Sequence, residues 1–137
     1  MQGYIGYTGT AESTKEENVS LQKQKDIRQY ICSDEVSKTV NPEKQSRHII
    51  GSAGYIKGRS YLLPGVDAQE LVDKYHGTGK IRLNRAGDAW INKELVVADR
   101  DIGVSINHRT GEETVTNRFT IHYSNTGTHV VPTERKE

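Results

Sequence analysis

The chain has 137 residues, a formal net charge of +1 at pH 7 and a single cysteine, which limits it to one domain or to a smaller domain with a tail. The near-neutral charge excludes a polycation, so a nucleic-acid partner requires local clusters of Lys and Arg, and the lone Cys32 excludes an intramolecular disulfide. No apolar run reaches membrane-spanning length and the first residues do not form a signal peptide, so we expect no membrane partner and any export signal to lie elsewhere, for example on a larger parent chain.

The distribution of apolar residues divides the chain into two parts. Apolar residues are sparse before Ile49 and regular after Tyr61. Burying a core requires regular apolar positions, so the second part is the one that can fold compactly. We therefore expect residues 1–43 to be a linker or a weakly helical segment, and residues 44–137 to form the compact domain.

The N-terminal segment changes composition along its length. Residues 1–15 are rich in Gly, Thr and Ser, which is typical of a linker. Residues 16–32 carry a partial apolar stripe that is compatible with a helix. Residues 33–47 are polar and contain Pro42, so they are predicted to be a connector.

The clearest local signal is a capped helix over about residues 68–76. Asp67 is a good N-cap residue, and Glu70 three positions later completes a capping box. Gly77 supplies a left-handed C-cap. One apolar face with helical spacing consists of Ala68, Leu71, Val72 and Tyr75.

The rest of the chain has the alternation of β-strands. Apolar residues recur at every second position between short turn sequences. This pattern predicts an antiparallel meander with one buried face, against which the helix packs to give an α+β domain. The predicted strands lie within residues 80–84, 89–98, 101–107, 112–124 and 128–131.

The last predicted hairpin carries two histidines, His122 and His129, on either side of its turn. The strand alternation sends one set of residues to the core, namely Phe119, Ile121 and Tyr123. The opposite, solvent-side face then holds Thr120, His122 and Ser124. With an even loop, either His122 or Ser124 lies opposite His129, and both histidines share this face. A three-residue loop would place them on opposite sides of the sheet.

Three interpretations of the histidine pair remain open. The first is that both rings are exposed side chains of a solvated hairpin. The second is a pair of metal ligands, which is less favoured because the hairpin has neither cysteines nor acidic residues beside the histidines. The third is proton transfer, because one imidazole can act as base while another acts as acid. That chemistry suits cleavage of RNA, in which the 2′-hydroxyl is the nucleophile and no metal is required.

A second informative stretch spans residues 43–62, EKQSRHIIGSAGYIKGRSYL. Its basic residues stand among hydroxyl groups, tyrosines and glycines, which favours a surface for phosphate and bases. The alternative is a solvated loop that leads to the first core strand. Arg82 and Lys93, at outward strand positions, either extend the basic surface or serve only solubility. The basic side chains of the stretch are Lys44, Arg47, His48, Lys57 and Arg59.

Four segments together resemble the type-50 polymorphic-toxin domain, which occurs at the C-termini of bacterial toxins and of phage minor head proteins. They are KQSRHIIGSAGY, DAQELVDKYHGTG, DIGVSIN and TNRFTIHYSNTGTHVVP. The resemblance covers about Lys44 to Pro132. It implies a small RNase of the barnase, EndoU, colicin and RelE-like class, in which a helical N-terminal part packs on a four- to five-stranded antiparallel sheet.

The resemblance also implies the site and its partners. RNases of this class generally act without a metal, so we expect no cofactor. The expected partners are RNA, with a tRNA as one possible substrate, and a cognate immunity protein, and the expected place of action is the cytoplasm of a target bacterium. The candidate catalytic residues are His48, His122, Ser124, His129 and Thr116. The candidate substrate-binding residues are Arg47, Lys57, Lys93, Thr120 and Tyr123, although Tyr123 also fits a core position.

Two rival hypotheses follow from the same sequence. The polar N-terminal segment suits a tether, which favours a non-catalytic domain that only binds, either in a phage head or as an adaptor. A metal-dependent nuclease is the least favoured hypothesis, and it predicts stoichiometric zinc or manganese in the purified protein.

Overall fold

The computed structural model describes the backbone of residues 11–134 and the side chains of residues 20–134. The helices in this part of the chain are α1 (Ala11–Ile31), α2 (Pro42–Ser46) and α3 (Ala68–Tyr75). The strands are β1 (Tyr61–Leu62), β2 (Lys80–Leu83), β3 (Trp90–Val97), β4 (Gly103–Ile106), β5 (Glu113–Thr116), β6 (Arg118–His122) and β7 (His129–Thr133). The predicted α+β class is therefore confirmed. None of these helices has the length and apolar character that crossing a bilayer would demand.

The strands form two antiparallel sheets. One sheet has the order β2-β3-β6-β7 and the other has the order β1-β4-β5. The four-stranded sheet agrees with the predicted architecture, but the predicted meander is wrong, because β3 pairs with β6 and the β4–β5 hairpin belongs to the second sheet. Alternation identifies a strand and its faces, whereas it does not choose the strand's partner.

The second sheet lies close against the first at Gly103. A Cβ atom at this position would come within 2.5 Å of Pro132 Cγ and 2.8 Å of the Tyr61 carbonyl oxygen. Strand β4 is consequently buried on both faces: Val104 is 7% exposed and its neighbour Ser105 is 8% exposed.

Helix α1 packs against the edge of the four-stranded sheet. The Gln24 side chain makes two hydrogen bonds of 3.0 Å with the backbone of Ile81, and Arg28 Nε donates to the Gly79 carbonyl at 2.8 Å. Ile31 and Val36 are buried in the core. The predicted helix is present, but the linker predicted for residues 1–15 does not hold for residues 11–15, which are helical; residues 1–10 lie outside the described part.

Helix α3 forms as the capping signals predict. The Asp67 side chain accepts from the Gln69 backbone N–H, and Gly77 has φ +79°. The predicted apolar face packs into the core through Ala68, Leu71, Val72 and Tyr75. The turn after the helix is held by Glu94, a fully buried carboxylate that accepts from Gly77 N and Gly79 N.

The β6–β7 hairpin has the register in which His122 lies opposite His129, as one of the two even-loop alternatives predicts. Phe119 and Ile121 are fully buried, as expected for the core face. The opposite face is less exposed than predicted: β1 and β4 lie against β7, and Thr120 on the neighbouring β6 is buried.

A candidate active site lined by four histidines

Three imidazole rings stack in a row. The ring centres of His48 and His129 are 5.9 Å apart with an interplanar angle of 13°, and those of His129 and His122 are 4.8 Å apart with an angle of 17°. The structure therefore brings together histidines from the two stretches that the sequence analysis singled out, with His129 in the middle.

Helix α2 is anchored in a way that brings His48 to the hairpin. Its N-cap Asn41 accepts from the Lys44 backbone N–H. The buried Gln45 side chain then donates to the Val130 carbonyl at 2.9 Å and accepts from the Val130 N–H at 2.7 Å. These bonds fix α2 on β7 beside His129, and the chain turns at His48 directly after the helix.

Backbone carbonyls orient two of the rings. His48 Nδ1 lies 2.8 Å from the Ser60 carbonyl oxygen, and His129 Nδ1 lies 2.9 Å from the Gly127 carbonyl oxygen. A carbonyl oxygen can only accept, so Nδ1 carries the hydrogen in both rings. In the neutral rings, Nε2 is then the nitrogen with the free lone pair.

Burial and positive neighbours lower the pKa of all three rings. Burial lowers the pKa of His122 most, and His129, Lys93 and His48 lower it further, to about 4. Burial is also the largest cause that lowers the pKa of His48 and of His129, while a backbone hydrogen bond raises it in each of these two rings. At neutral pH the row is therefore uncharged.

Cations border the row on both sides. Lys93 is the cross-strand partner of His122 in the β3–β6 pair, and its charge acts on that ring. The charge of Arg47 acts on His48 and His129 and lowers the pKa of both rings. The charge of Lys57, by contrast, is not among those that shift these rings, and Lys57 does not line the cleft.

The cleft in front of the rings has a volume of about 380 Å³. Its walls include Arg59 and also His108, which the sequence analysis did not select. His108 stands in the β4–β5 turn, and only the placement of that hairpin in the second sheet brings it here. The sequence identifies His108 as part of a turn but does not reveal that it lies near the other three histidines in the folded protein.

Of the ten predicted site residues, His48, His122 and His129 line this cleft and seven do not. Arg47, Lys57 and Lys93 are three of the seven, and the other four are Thr116, Thr120, Tyr123 and Ser124. Thr116 is fully buried, donates to the Thr133 carbonyl and accepts from the Arg118 N–H. Thr120 is buried and pairs with Thr133 Oγ1 at 2.7 Å. Their hydroxyl groups thus join strands, which explains why threonine suits both positions.

Tyr123 and Ser124 lie beyond the end of β6. The Tyr123 hydroxyl donates to the buried Glu94 carboxylate at 2.6 Å, and burial, followed by the Glu94 charge, raises the pKa of this phenol. Tyr123 is therefore a core residue, which is the alternative that the sequence left open. Ser124 Oγ accepts from the Thr126 N–H and borders a different pocket, described below.

Among the side chains of residues 20–134, no three or more His, Cys, Asp or Glu are placed to hold one metal ion together. The three histidine rings stack face to face and do not converge on one metal position.

Comparison with known proteins connects this geometry to a family. The model of the Bacterial toxin 50 family matches residues 40–132, a stretch that contains all three stacked histidines. A comparison with curated proteins finds no match. Since the family model covers more than half of the 137 residues, the chain belongs to the Bacterial toxin 50 family.

Proposed function

We propose that the protein is an endoribonuclease toxin that cleaves RNA without a metal ion, through attack of a ribose 2′-hydroxyl on the adjacent phosphate. The observation that carries this proposal is the row of stacked imidazoles, His48, His129 and His122, in a cleft that Arg59 lines, with the charges of Lys93 and Arg47 acting on the rings. RNA brings its own nucleophile, so the protein has to supply a base, an acid and groups that stabilise the developing charge. Membership of a toxin family supports a damaging activity of this kind.

His122 is suited to be the general base. Its lowered pKa, about 4, keeps the ring neutral at physiological pH, so it can accept the proton of the 2′-hydroxyl. Lys93 lies beside it across the β3–β6 pair. The ammonium group can therefore stabilise the negative charge that grows on the phosphate oxygens as the new bond forms.

His129 is suited to be the general acid. Its ring centre is 4.8 Å from that of His122, so the two rings can flank one phosphate. The bond from Nδ1 to the Gly127 carbonyl raises the pKa of His129, and a bound phosphate anion raises it further, which favours the charged ring only when substrate is present.

Proton transfers to His122 and from His129 account for both bonds that change in the cleavage step. The 2′-oxygen loses its proton to His122 and forms a bond to phosphorus, while the bond from phosphorus to the 5′-oxygen breaks. The leaving 5′-oxygen takes a proton from His129. The products are a 2′,3′-cyclic phosphate and a 5′-hydroxyl; solvent then takes the extra proton from His122 and returns one to His129.

His48 completes the site from the opposite end of the row. It is 5% exposed, and the charges of Arg59 and Arg47 both act on its ring. Because the His48 Nδ1–H is held by the Ser60 carbonyl, the neutral ring has no free donor, and the guanidinium groups of Arg59 and Arg47 are better suited to bind phosphate oxygens.

The test of this function combines cells and purified protein. Expression in a bacterium should arrest growth and generate RNA ends with 2′,3′-cyclic phosphates, whereas the His48→Ala and His129→Ala variants should be harmless. With purified protein, a 2′-deoxy substitution at the cleaved nucleotide should abolish cutting and EDTA should not. Cutting of the deoxy substrate, or loss of activity with EDTA, would refute the mechanism. Harmless expression of the wild type would favour the non-catalytic binding domain.

The proposed function defines its partner and its place of action. An RNase toxin requires RNA, and so it acts in the cytoplasm of the target bacterium, delivered as part of a larger protein. A producing cell needs an immunity protein, and acidic side chains on that partner would complement the cations around the cleft. Competition between such a partner and a short RNA for the wild-type protein tests this assignment.

A further inference from the structure

A second pocket, with a volume of about 160 Å³, lies at the end of β3 and β6. Pockets for drug-sized ligands start at about 300 Å³, so this one suits a single planar ring system. Aromatic residues form one part of its lining and polar side chains form another. The aromatic residues are Tyr30, Trp90 and Tyr123, and the polar ones include Glu35, Asn92 and Asn125.

The aromatic residues form a continuous wall. Trp90 lies between Tyr30, with ring centres 6.2 Å apart and perpendicular, and Tyr123, with ring centres 5.6 Å apart. Tyr30 is 46% exposed, an unusual position for a large aromatic side chain beside a core. Exposed aromatic rings are the groups on which the bases of single-stranded RNA stack.

A β-bulge shapes the floor of the pocket. Arg82 pairs with Lys93 and the next residue, Leu83, pairs with Trp90, so two residues of β3 have no partner on β2. One of them, Asn92, has φ 65°, a conformation that non-glycine residues rarely adopt. Bulges redirect side chains and are frequent next to active sites.

The pocket is the immediate neighbour of the histidine cleft. Lys93 and His122 are cross-strand partners, and the next contact along the two strands is the 2.8 Å hydrogen bond from the Tyr123 N–H to the Asn92 carbonyl. One residue of a strand spans about 3.3 Å. Tyr123 faces the core, but Ser124, which the strand alternation places on the face of His122, also lines the pocket. A nucleotide attached to a phosphate at His122 can therefore reach the pocket with its base along this side of the strand end.

We propose that this pocket binds the nucleobase next to the cleaved phosphate and prefers guanine. This inference rests on the proposed RNase function. The Glu35 carboxylate can only accept hydrogen bonds, and guanine presents two adjacent donors, N1–H and the exocyclic amino group, on its Watson–Crick edge. Tyr30 and Glu35 precede the stretch matched by the family model, residues 40–132, so base preference depends on a segment outside it.

The single tryptophan makes the proposal directly testable. Trp90 is the only tryptophan of the chain, so its fluorescence reports on this pocket alone. We expect guanosine 3′-monophosphate to quench it saturably, at concentrations at least tenfold lower than the other three nucleotides require. Tyr30→Ala should weaken binding of all four. Glu35→Gln should weaken guanosine binding by about tenfold and largely remove the preference, while Glu43→Gln, an exposed carboxylate outside the pocket, should change nothing.

The outcomes separate this proposal from the RNase function. Absence of saturable quenching, or a preference that is the same in Glu35→Gln and in the wild type, would overturn the base pocket even if RNA is cleaved. Selective quenching that persists in His122→Ala would support the pocket independently of catalysis. Selective quenching by a wild type that fails to cut RNA would refute the RNase function alone.

Discussion

Protonation of His122 should destabilise the fold in acid, and the structure gives the size of the effect. The pKa of this ring falls from 6.5 to about 4 in the folded protein. One pKa unit corresponds to about 1.4 kcal/mol, so the shift is equivalent to roughly 3 kcal/mol. Because the ring is partly exposed, we discount this to about 2 kcal/mol.

The sign follows from proton linkage. Above the unfolded-state value of 6.5 the ring is neutral in both states and the full stability is present. As the pH falls from 6.5 towards 4, the unfolded chain binds a proton that the folded protein excludes, so the free energy of unfolding decreases. Below the folded pKa both states are protonated and this contribution to the slope ends.

Urea unfolding followed by Trp90 fluorescence measures this slope. The wild type should lose about 2 kcal/mol more than His122→Gln between about pH 7 and about pH 4. The remaining slope of the variant comes in part from His48 and His129, whose pKa values are also lowered. Arg85→Gln, an exposed residue in the β2–β3 turn, serves as the control and should follow the wild type. Parallel loss of stability in the wild type and in His122→Gln would refute the assignment of a buried, neutral ring.

Three substitutions, with Lys57→Ala as a control for one of them, and one pH profile test the remaining features of the fold and the site. Glu94→Gln should lower the free energy of unfolding by about 3 kcal/mol in a urea titration, because the buried carboxylate accepts three hydrogen bonds of which an amide can keep only some. Gly103→Ala should lower it by about 2 kcal/mol, since the new methyl group meets Pro132; an unchanged unfolding midpoint would contradict the close sheet packing. Lys93→Ala should lower kcat/KM for RNA about 100-fold, and the control Lys57→Ala should lower it less than about threefold. Equal losses in the two variants would show that Lys93 is not part of the site. The kcat/KM profile should begin to fall below pH 6.5, the ordinary imidazole value, because burial lowers the pKa of His129, the acid in the free protein, and a maximum near pH 8 would argue against a histidine acid.

The parts of the molecule that the sequence predicted are those fixed by neighbouring residues. Asp67 and Gly77 bound helix α3 through local hydrogen bonding and backbone geometry, and the hairpin turn sets His122 opposite His129. The predicted meander was wrong because the pairing of β3 with β6 depends on packing between strands that are distant in sequence. His108 joins the cleft only through that choice.

Buried hydroxyl groups show the same limit at the level of single residues. Thr116 lies within the stretch that the family model matches, and its burial and its hydrogen bond to the Thr133 carbonyl explain the position without a catalytic role. A short motif does not distinguish a side chain that joins two strands from one that faces a substrate. The role of such a side chain depends on which face of its sheet is covered by a second sheet. The alternation of apolar residues does not reveal which face that is.

The two hydrogen bonds between the Gln45 side chain and the Val130 backbone join positions 85 residues apart. This separation has a consequence for biosynthesis. While the ribosome is still extending the polypeptide, His48 has already emerged but lacks the strand that carries its stacking partner. No intermediate translation product can assemble the imidazole row. Under the proposed RNase function, the site can therefore form only after β7 has left the exit tunnel and paired with β6, which would give the proposed immunity protein time to bind.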